Sequence, residues 1–361
     1  MEDLINIVLL SFMAATAVAL ARLRNLFAVS MLFGVFSFLA AVLYVVWDAV
    51  DVAFTEAAVG AGISTVLMLA TLVLTTDKEK VHPKRPIAAL LLVSITGATL
   101  IYGTLDMPRY GDPNAPINHS VALRYIEKTV PETGVPNVVT SVLASYRGYD
   151  TLGETSVIFT AAAGVLVLIG RRRRRRFVER RKKPQPDRRS QTAIRAAELN
   201  KRGPSRGRRA TDHGPLLRQS SVLRVVAKFL IPAILLFALY VQFHGDYGPG
   251  GGFQAGVIFA AAFILYALLF GVSAARKVAP AWVTRILLAL GVLLYAGTGM
   301  ATVILGGNYL DYSFLSSDPV AGQELGIWLI ELGVGTTVAA AMITIFFTFA
   351  GQRPPERTLM E

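Results

Sequence analysis

Residues 253–275 read FQAGVIFAAAFILYALLFGVSAA, a run of 23 residues that contains no Asp, Glu, Lys or Arg. A helix of about 20 residues crosses the hydrocarbon core of a bilayer, which is roughly 30 Å thick. Lipid offers the backbone no hydrogen-bond partner, so such a run must satisfy its own backbone groups as a helix. The stretch therefore predicts a membrane-spanning helix.

Eight further stretches of the 361-residue chain have the same apolar character. They are Leu4–Ala21, Asn25–Trp47, Ala57–Thr76 (beginning near Val52), Pro86–Leu105, Leu152–Gly170, Val225–Phe243, Ile286–Leu310 and Leu325–Gln352. The predicted fold class is an all-α polytopic membrane protein with about nine transmembrane helices, five before residue 171 and four after residue 220.

Charge is concentrated in one segment between these two groups of helices. The chain carries a net charge of +12, whereas residues 171–218 alone hold 19 Lys and Arg against 4 Asp and Glu. The few apolar residues predict a disordered basic cytoplasmic linker over 171–220. We interpret Arg171–Arg176 as a stop-transfer and topology signal, with binding to anionic lipid as the functional alternative. Nucleic-acid binding is not expected, because Phe177 is the segment's only aromatic residue.

The distribution of basic residues predicts the orientation in the membrane. Of the 36 Lys and Arg, 32 fall on the side that carries the 171–220 linker. The other four, Arg109, Arg124, Lys128 and Arg147, lie on the loop between the fourth and fifth spans. The positive-inside rule therefore places the N-terminus outside and the C-terminal tail, 353–361, in the cytoplasm. The predicted location is the cell inner membrane.

Several kinds of chemistry are not expected. The chain has no cysteine, which excludes disulfides, thiolate metal sites, iron–sulfur ligation and a cysteine nucleophile. We find no credible Ser–His–Asp grouping, and we expect no metal, cofactor or catalytic residue. The residues therefore predict no enzymatic site.

Two carboxyl groups lie inside predicted membrane helices, where an ionised side chain has an unfavourable free energy. An acidic residue inside a membrane helix costs about 2.5 to 3.5 kcal/mol unless it is paired, hydrated or protonated. Glu56 and Glu331 each have small residues at +4 and +8, beginning with Gly60 and Gly335. Small residues let a second helix approach, so each carboxylate is predicted to face protein, although abundant Gly and Ala make a chance pattern the alternative. A carboxyl group held in low dielectric can exchange a proton near neutral pH or bind a cation, which is the chemistry of an ion path.

Four further features of the sequence carry polar or glycine residues that could have a structural or a functional role. Lys228 pairs with an acid or extends to the cytoplasmic interface. The motif RGYDTLGE at 147–154 contains Asp150 and Glu154 and is, on physical grounds, an interfacial anchor that leads into span five. The stretch Val138–Tyr146 predicts a short helix against the membrane surface. The loop HGDYGPGGGF at 244–253 fits no phosphate-binding motif and predicts a tight outside turn built on its structural residues, which are Pro249, Gly250, Gly251, Gly252 and Phe253.

These motifs resemble those of a known family. The elements Pro249–Gly256, Lys228 before Pro232, and Glu331–Gly335 after Leu325-Gly326-Ile327 resemble the B subunit of Mrp-type multisubunit Na+/H+ antiporters, which is shared with membrane-bound hydrogenases. The stretch 51–61 is similar to the small D-type subunit, and 137–140 with 147–154 is similar to the E-type subunit. These D and E elements form the C-terminal part of the Mrp A subunit elsewhere.

The resemblance implies a domain organisation. A D-type module of about four helices covers 1–105, and an outer loop, an interfacial helix and an E-type helix cover 106–170. The linker 171–220 is then the fusion joint before a B-type four-helix module at 221–352. The D-type element also resembles a complex I subunit whose distorted third helix couples ion movement, and Glu56 occupies the matching helix.

The resemblance further implies function and partners. The chain is expected to be a membrane subunit of a monovalent cation (Na+)/proton antiporter, bound to other Mrp-type subunits and to membrane lipids. Its implied ion-pathway residues are Glu56, Glu331, Asp150, Glu154 and Lys228. Two alternatives are an ion-translocating subunit of a redox-driven complex such as a membrane-bound hydrogenase, and a purely structural scaffold.

Overall fold

A computed structural model of the protein describes residues 2–72, 75, 78–79, 86–109, 111–182 and 221–351. Along 170–182 only the backbone is described. Within these ranges the protein is all-α, without a strand, and nine helices are long and apolar enough to cross a membrane. The predicted fold class is therefore confirmed. The predicted cytoplasmic tail, 353–361, lies outside the described residues.

The helices follow the apolar stretches of the sequence. In chain order they are α1 (Glu2–Arg22), α2 (Leu26–Val46), α3 (Val50–Glu56), α4 (Thr65–Leu72), α5 (Pro86–Thr104), α6 (Val121–Thr133), α7 (Val138–Ser141), α8 (Gly148–Lys182), α9 (Ser221–His244), α10 (Gly252–Phe270), α11 (Val272–Val278), α12 (Ala281–Ile304) and α13 (Pro319–Ala350). A π-helical segment, Ala57–Ser64, joins α3 to α4, and a second one, Val142–Tyr146, follows α7. The third span is thus distorted, as the resemblance implied.

Helix α13 lies at the centre of the C-terminal bundle and contacts α8, α10 and α12. Glycines set the spacing: a Cβ on Gly335 would lie 3.1 Å from the Gly252 carbonyl oxygen, and one on Gly333 would lie 2.8 Å from the Gly291 carbonyl oxygen. Backbones approach this closely only where side chains are missing. The prediction that small residues on the Glu331 face admit a neighbouring helix is therefore confirmed.

Buried tyrosines join the first half of the chain to this bundle. Tyr295 of α12 donates to the Gly148 carbonyl oxygen at 2.7 Å, and Tyr312 donates to the Ala144 carbonyl oxygen at 3.1 Å. Both side chains are fully buried. Burial raises the pKa of the Tyr312 hydroxyl, so this group stays protonated and remains a donor.

The outer segment differs from its prediction. Val138–Tyr146 is helical, but Thr140, Ser141 and Ala144 are buried against protein and not laid on a membrane surface. These residues form no strong apolar face, and their hydroxyl groups find partners inside the fold. The amphipathic helix of this segment is α6, whose exposed face carries Leu123 and Ile126.

Helix α8 is also longer than predicted. It begins at Gly148 and continues to Lys182, so the backbone of the first residues assigned to the basic linker is helical. Arginine and lysine are good helix formers, and a helix that already exists propagates at little cost. The remaining linker, 183–220, lies outside the described residues.

Candidate ion-pathway cavity

A cavity of about 630 Å³ lies where the first and second halves of the chain meet. The wall is formed by α3, by α7 with the π-helical segment that follows it, by the first turns of α8, by the start of α10 with the loop before it, and by α13. Three carboxylates line it, Asp51 from α3, Glu154 from α8 and Glu331 from α13. Each comes from a different module of the predicted fusion, so folding the two halves together creates this acidic cavity.

Glu331 is the carboxylate most closely enclosed by backbone. A Cβ on Gly251 would lie 3.0 Å from one carboxylate oxygen, and a Cβ on Gly245 would lie 3.2 Å from the other. Gly251 has a φ of +105°, a left-handed conformation that side chains resist. The Glu331 carboxylate has no hydrogen-bond partner among the described residues. Its oxygens are therefore available to a proton, a cation or water in the cavity.

Asp51 reaches the same site from the start of α3. Its Oδ1 accepts a hydrogen bond from the Gly250 backbone N–H at 3.3 Å. One helical turn further on, Thr55 Oγ1 accepts from the Gln254 amide at 2.8 Å. The charge of Asp51 lies within electrostatic reach of Glu331. This pair of contacts attaches α3 to the start of α10 and fixes Asp51 at the rim of the cavity.

Asp246 adds a fourth acidic group just outside the spans. Burial, and secondarily the charge of Glu324, raise the pKa of the Asp246 carboxyl above its usual range. Its Oδ1 is buried without a hydrogen-bond partner among the described residues. A raised pKa means that the folded chain binds this proton more tightly than the unfolded chain does. Ionised Asp246 thus opposes folding above its unfolded pKa, and protonation relieves this effect.

The glycine loop between α9 and α10 is held by the E-type element. The Asn137 amide donates to the carbonyl oxygens of Gly245 at 3.0 Å and Gly248 at 2.9 Å. Thr140 Oγ1 donates to the same Gly245 carbonyl at 2.7 Å. The Asn137 backbone N–H donates to the Asp246 carbonyl oxygen at 3.0 Å. We call this set of contacts the Asn137 clasp; it positions the loop that encloses Glu331.

Replacing Asn137 with Ala removes two of the clasp's hydrogen bonds and leaves the buried loop carbonyls without the amide. We expect the chain to lose about 1 to 3 kcal/mol of stability, the cost of leaving buried polar groups unsatisfied. Thermal unfolding of the purified chain in detergent measures this loss. The matched control is Asn114→Ala, an exposed amide that is expected to change nothing; equal melting temperatures for both variants would disprove the clasp.

Glu56 does not line this cavity. Its carboxylate lies beside Gly60 and close to Ser37 of α2, where α2 packs on the π-helical segment. The helical repeat explains the separation, because Thr55 faces the cavity and the next residue is turned by about 100°. Glu56 therefore faces protein, as predicted, but the neighbour is helix α2 and not the acidic cavity.

The remaining predicted residues divide between cavity and surface. Glu154, Gly250, Gly251, Gly252 and Phe253 line the cavity, and Pro249 lies outside it in a small hollow near Ala53. Asp150 forms an ion pair with Arg147 on the surface, where both side chains are at least half exposed. Lys228 is exposed on α9 and does not reach the cavity.

Sequence reasoning missed Asp51, Thr55, Gln254 and the role of Asn137. A signal existed for two of them, since Asp51 and Thr55 are four residues apart and share a helix face. Asn137 belonged to a recognised motif, but its partners are more than 100 positions away. Among the described residues, no group of three or more His, Asp or Glu side chains is arranged to hold a metal ion.

Comparison with known proteins connects this geometry to a family. A 135-residue stretch of the chain is 36% identical to the putative antiporter subunit mnhB2 of Staphylococcus aureus (strain Newman). The match takes in 37% of this chain and 95% of that protein. A family model described as a domain related to the MnhB subunit of Na+/H+ antiporter matches residues 222–344. The chain belongs to this MnhB-related family. The predicted resemblance to the B-type subunit is confirmed.

The first half of this MnhB-family chain matches two other family models. They describe the D subunit of MBH, over residues 11–77, and the E subunit of MBH, over residues 89–187. A relative that covers both halves is the probable K(+)/H(+) antiporter A/B subunit of Rhizobium meliloti (strain 1021), 26% identical over 276 residues. The match takes in 73% of this chain and 25% of that protein, so this MnhB-family chain spans about a quarter of its length. The D-, E- and B-type resemblances are thus all confirmed.

A solved structure has the same fold. The Mrp complex from Dietzia sp. DQ12-45-1b contains a chain that superimposes with a TM-score of 0.64 at 23% sequence identity. The match covers 98% of this MnhB-family chain and 35% of the longer one. It supports the arrangement of the helices described above.

Proposed function

We propose that this chain is a membrane subunit of a multisubunit monovalent cation/proton antiporter, and that its acidic cavity is part of the ion pathway. The observation that carries the proposal is the convergence of Asp51, Glu154 and Glu331 on one cavity between three modules. Ionisable groups inside a membrane are costly, and they are retained where ions or protons pass.

The geometry suggests how exchange would use these groups. A carboxyl group in a cavity is neutral when it holds a proton, and when it is ionised it can hold a monovalent cation in the proton's place. Because Asp51 and Asp246 lie within electrostatic reach of Glu331, ionising one makes ionising the next less favourable. A proton or cation that arrives at one carboxylate therefore changes the affinity of its neighbours, which is what coupled exchange requires.

The partner subunits and the transported cation are part of the same proposal. The MnhB-family membership and the relative named as an antiporter A/B subunit support assembly with other antiporter subunits. Helix α5 supports it independently, because none of the residues across its span is buried against the rest of the described chain. Na+ and K+ are both candidates, since both ions occur in the names of related proteins.

Two alternatives use the same fold. The models named for MBH subunits favour a redox-driven complex, in which the same cavity would conduct ions while electron chemistry takes place in other chains. The long match to mnhB2 favours the antiporter. A purely structural scaffold would need no charge in the cavity, so neutralising its carboxylates distinguishes it from both.

We also propose the organisation and orientation predicted from the sequence. We propose modules at 1–105, 106–170 and 221–352 with a joint at 171–220. The family models match 11–77, 89–187 and 222–344, which supports three modules in this order, but the second match begins before residue 106 and extends past residue 170. The positive-inside rule supports an outside N-terminus and a cytoplasmic C-terminus in the cell inner membrane. A cysteine introduced at exposed Asn114 of this cysteine-free chain should then react with an impermeant maleimide added outside intact cells.

Asp51→Asn tests the proposed function directly. We expect cation/proton exchange by the complete complex in vesicles to fall by at least about tenfold, because proton-transfer groups typically contribute that much or more. The quenching of a pH-sensitive dye after a Na+ or K+ pulse measures exchange. Normal exchange in assembled Asp51→Asn complexes would remove Asp51 from the pathway, and normal exchange in assembled Glu331→Gln complexes as well would leave the scaffold as the function of this chain.

Glu56→Gln is the companion measurement. We propose that Glu56 acts as a second protonatable group beside the π-helical segment, on the α2 side. Exchange should then fall in this variant as well. An unchanged rate would remove Glu56 from the pathway and leave the cavity as the proposed route through the described residues.

A further inference from the structure

A second cavity, of about 390 Å³, lies at the other end of the bundle. Its wall joins the end of the α8 span to α11, α12 and the last turns of α13. The apolar part of the lining comes from Leu166, Val167 and Ile169 of α8 together with Phe347 of α13. Two guanidinium groups, those of Arg276 and Arg285, complete it. We call it the arginine cavity.

The two arginines are placed differently. Arg276 is anchored, because its Nη2 donates to the Phe347 carbonyl oxygen at 2.6 Å and its guanidinium lies 5.9 Å from the centre of the Phe347 ring. Arg285 is exposed in the second turn of α12. No Asp or Glu of the described chain lines the cavity. Among the described residues, the charged part of the lining is therefore positive, which suits an anion.

Hydroxyl groups provide a second, independent observation. Thr284, Thr344 and Thr348 line the cavity beside the arginines. Thr344 is only 4% exposed, and its Oγ1 is buried without a hydrogen-bond partner among the described residues. A buried hydroxyl is nearly always paired, so an unpaired one that faces a cavity indicates a missing ligand or water.

The cavity lies at the membrane boundary. The α8 span ends at Ile169, and the sequence continues with six arginines, 171–176. An apolar wall on the membrane side and two arginines on the aqueous side match the two parts of a phospholipid. We propose that the arginine cavity binds a phosphate ester group, and that the ligand is the headgroup of an anionic phospholipid with an acyl chain along Leu166 and Val167.

This site differs from the lipid-binding alternative considered for Arg171–Arg176, because it is formed by other residues. Guanidinium groups bind phosphate oxygens through short, charge-assisted hydrogen bonds. Phe347 and Leu166 come from different halves of the chain, so a lipid in this position would hold α8 against the B-type module. The inference is independent of the proposed antiport function.

Native mass spectrometry of the 361-residue chain in detergent tests the proposal, with cardiolipin, phosphatidylglycerol and phosphatidylcholine as probes. We expect one tightly bound anionic lipid per chain and no comparable binding of phosphatidylcholine. Arg285→Gln should weaken this binding about tenfold, the usual value of one hydrogen bond to a charged group. The matched control is Lys277→Gln, which removes the same charge from an exposed residue that does not line the cavity.

Thr344→Val is a second variant that keeps the shape of the side chain and removes the buried hydroxyl. It should fold normally and weaken anionic-lipid binding severalfold. Equal lipid affinity in Arg285→Gln and Lys277→Gln would show that binding is spread over the charged surface and would overturn the proposal. A parallel thermal-shift titration with inorganic phosphate identifies the source: stabilisation by phosphate without retained lipid would replace the lipid with a soluble anion.

Discussion

Exchange should be lost when Glu331 is replaced with Gln. The amide keeps the size of the side chain but cannot carry a proton or a negative charge, and Glu331 has no hydrogen-bond partner among the described residues whose loss would disturb the fold. We expect cation/proton exchange by the complete complex to fall by at least about tenfold, as for other groups that transfer protons. Dye-quenching assays in vesicles, normalised to the amount of assembled complex, provide the measurement.

Two controls make the Glu331 result specific. Glu127→Gln removes a charge from an exposed residue of α6 and should leave exchange unchanged. Glu331→Asp keeps the carboxylate but withdraws it by one methylene, so exchange should be partly retained. If Glu331→Gln assembled fully and exchanged ions at the wild-type rate, Glu331 would have no part in the pathway.

A single methyl group at Gly252 should destabilise the packing of α10 against α13. A Cβ at this position would overlap the backbone carbonyl of Glu331, and it would lie 3.0 Å from the Gly335 backbone nitrogen. These are backbone atoms, so no side-chain rotation can relieve the overlap, and α10 must move away from α13. Overpacking of this kind costs about 1 to 3 kcal/mol.

The matched control for Gly252→Ala is Gly103→Ala in α5. A methyl group on Gly103 would have no atom of the described chain within 4 Å, so this substitution should be neutral or slightly stabilising in the isolated chain. Thermal unfolding in detergent compares the two variants. Equal melting temperatures would show that α10 and α13 are not in the close contact on which the enclosure of Glu331 depends.

Much of the fold follows from the sequence because lipid leaves the backbone few choices. Long uncharged runs must be helices, and this argument alone located the nine spans. It could not place the end of α8 or the surroundings of Val138–Tyr146. Both depend on contacts made after folding: the continuation of an existing helix, and hydroxyl groups that bond to a distant loop.

The candidate site was only partly predictable for the same reason. Glu331 and Glu154 were identifiable because each is an acidic residue within an apolar stretch. Asp51 was not, because it lies in the first turn of α3 and becomes significant only when α3 meets Gly250. Helical periodicity separates Asp51 and Thr55 from Glu56, but only the packed structure shows which of the two faces meets the cavity.

The central claim is that ions pass through the cavity shared by Asp51, Glu154 and Glu331. The most direct test is to modify a cysteine introduced at Val139, which lines the cavity and is 41% exposed. The chain has no other cysteine, and Ile126→Cys on exposed α6 is the matched control. The account predicts that a cationic methanethiosulfonate added outside stops exchange in Val139→Cys, that Na+ or K+ slows the reaction, and that Ile126→Cys and the unsubstituted complex are unaffected. Complete modification of Val139→Cys with undiminished exchange would contradict it.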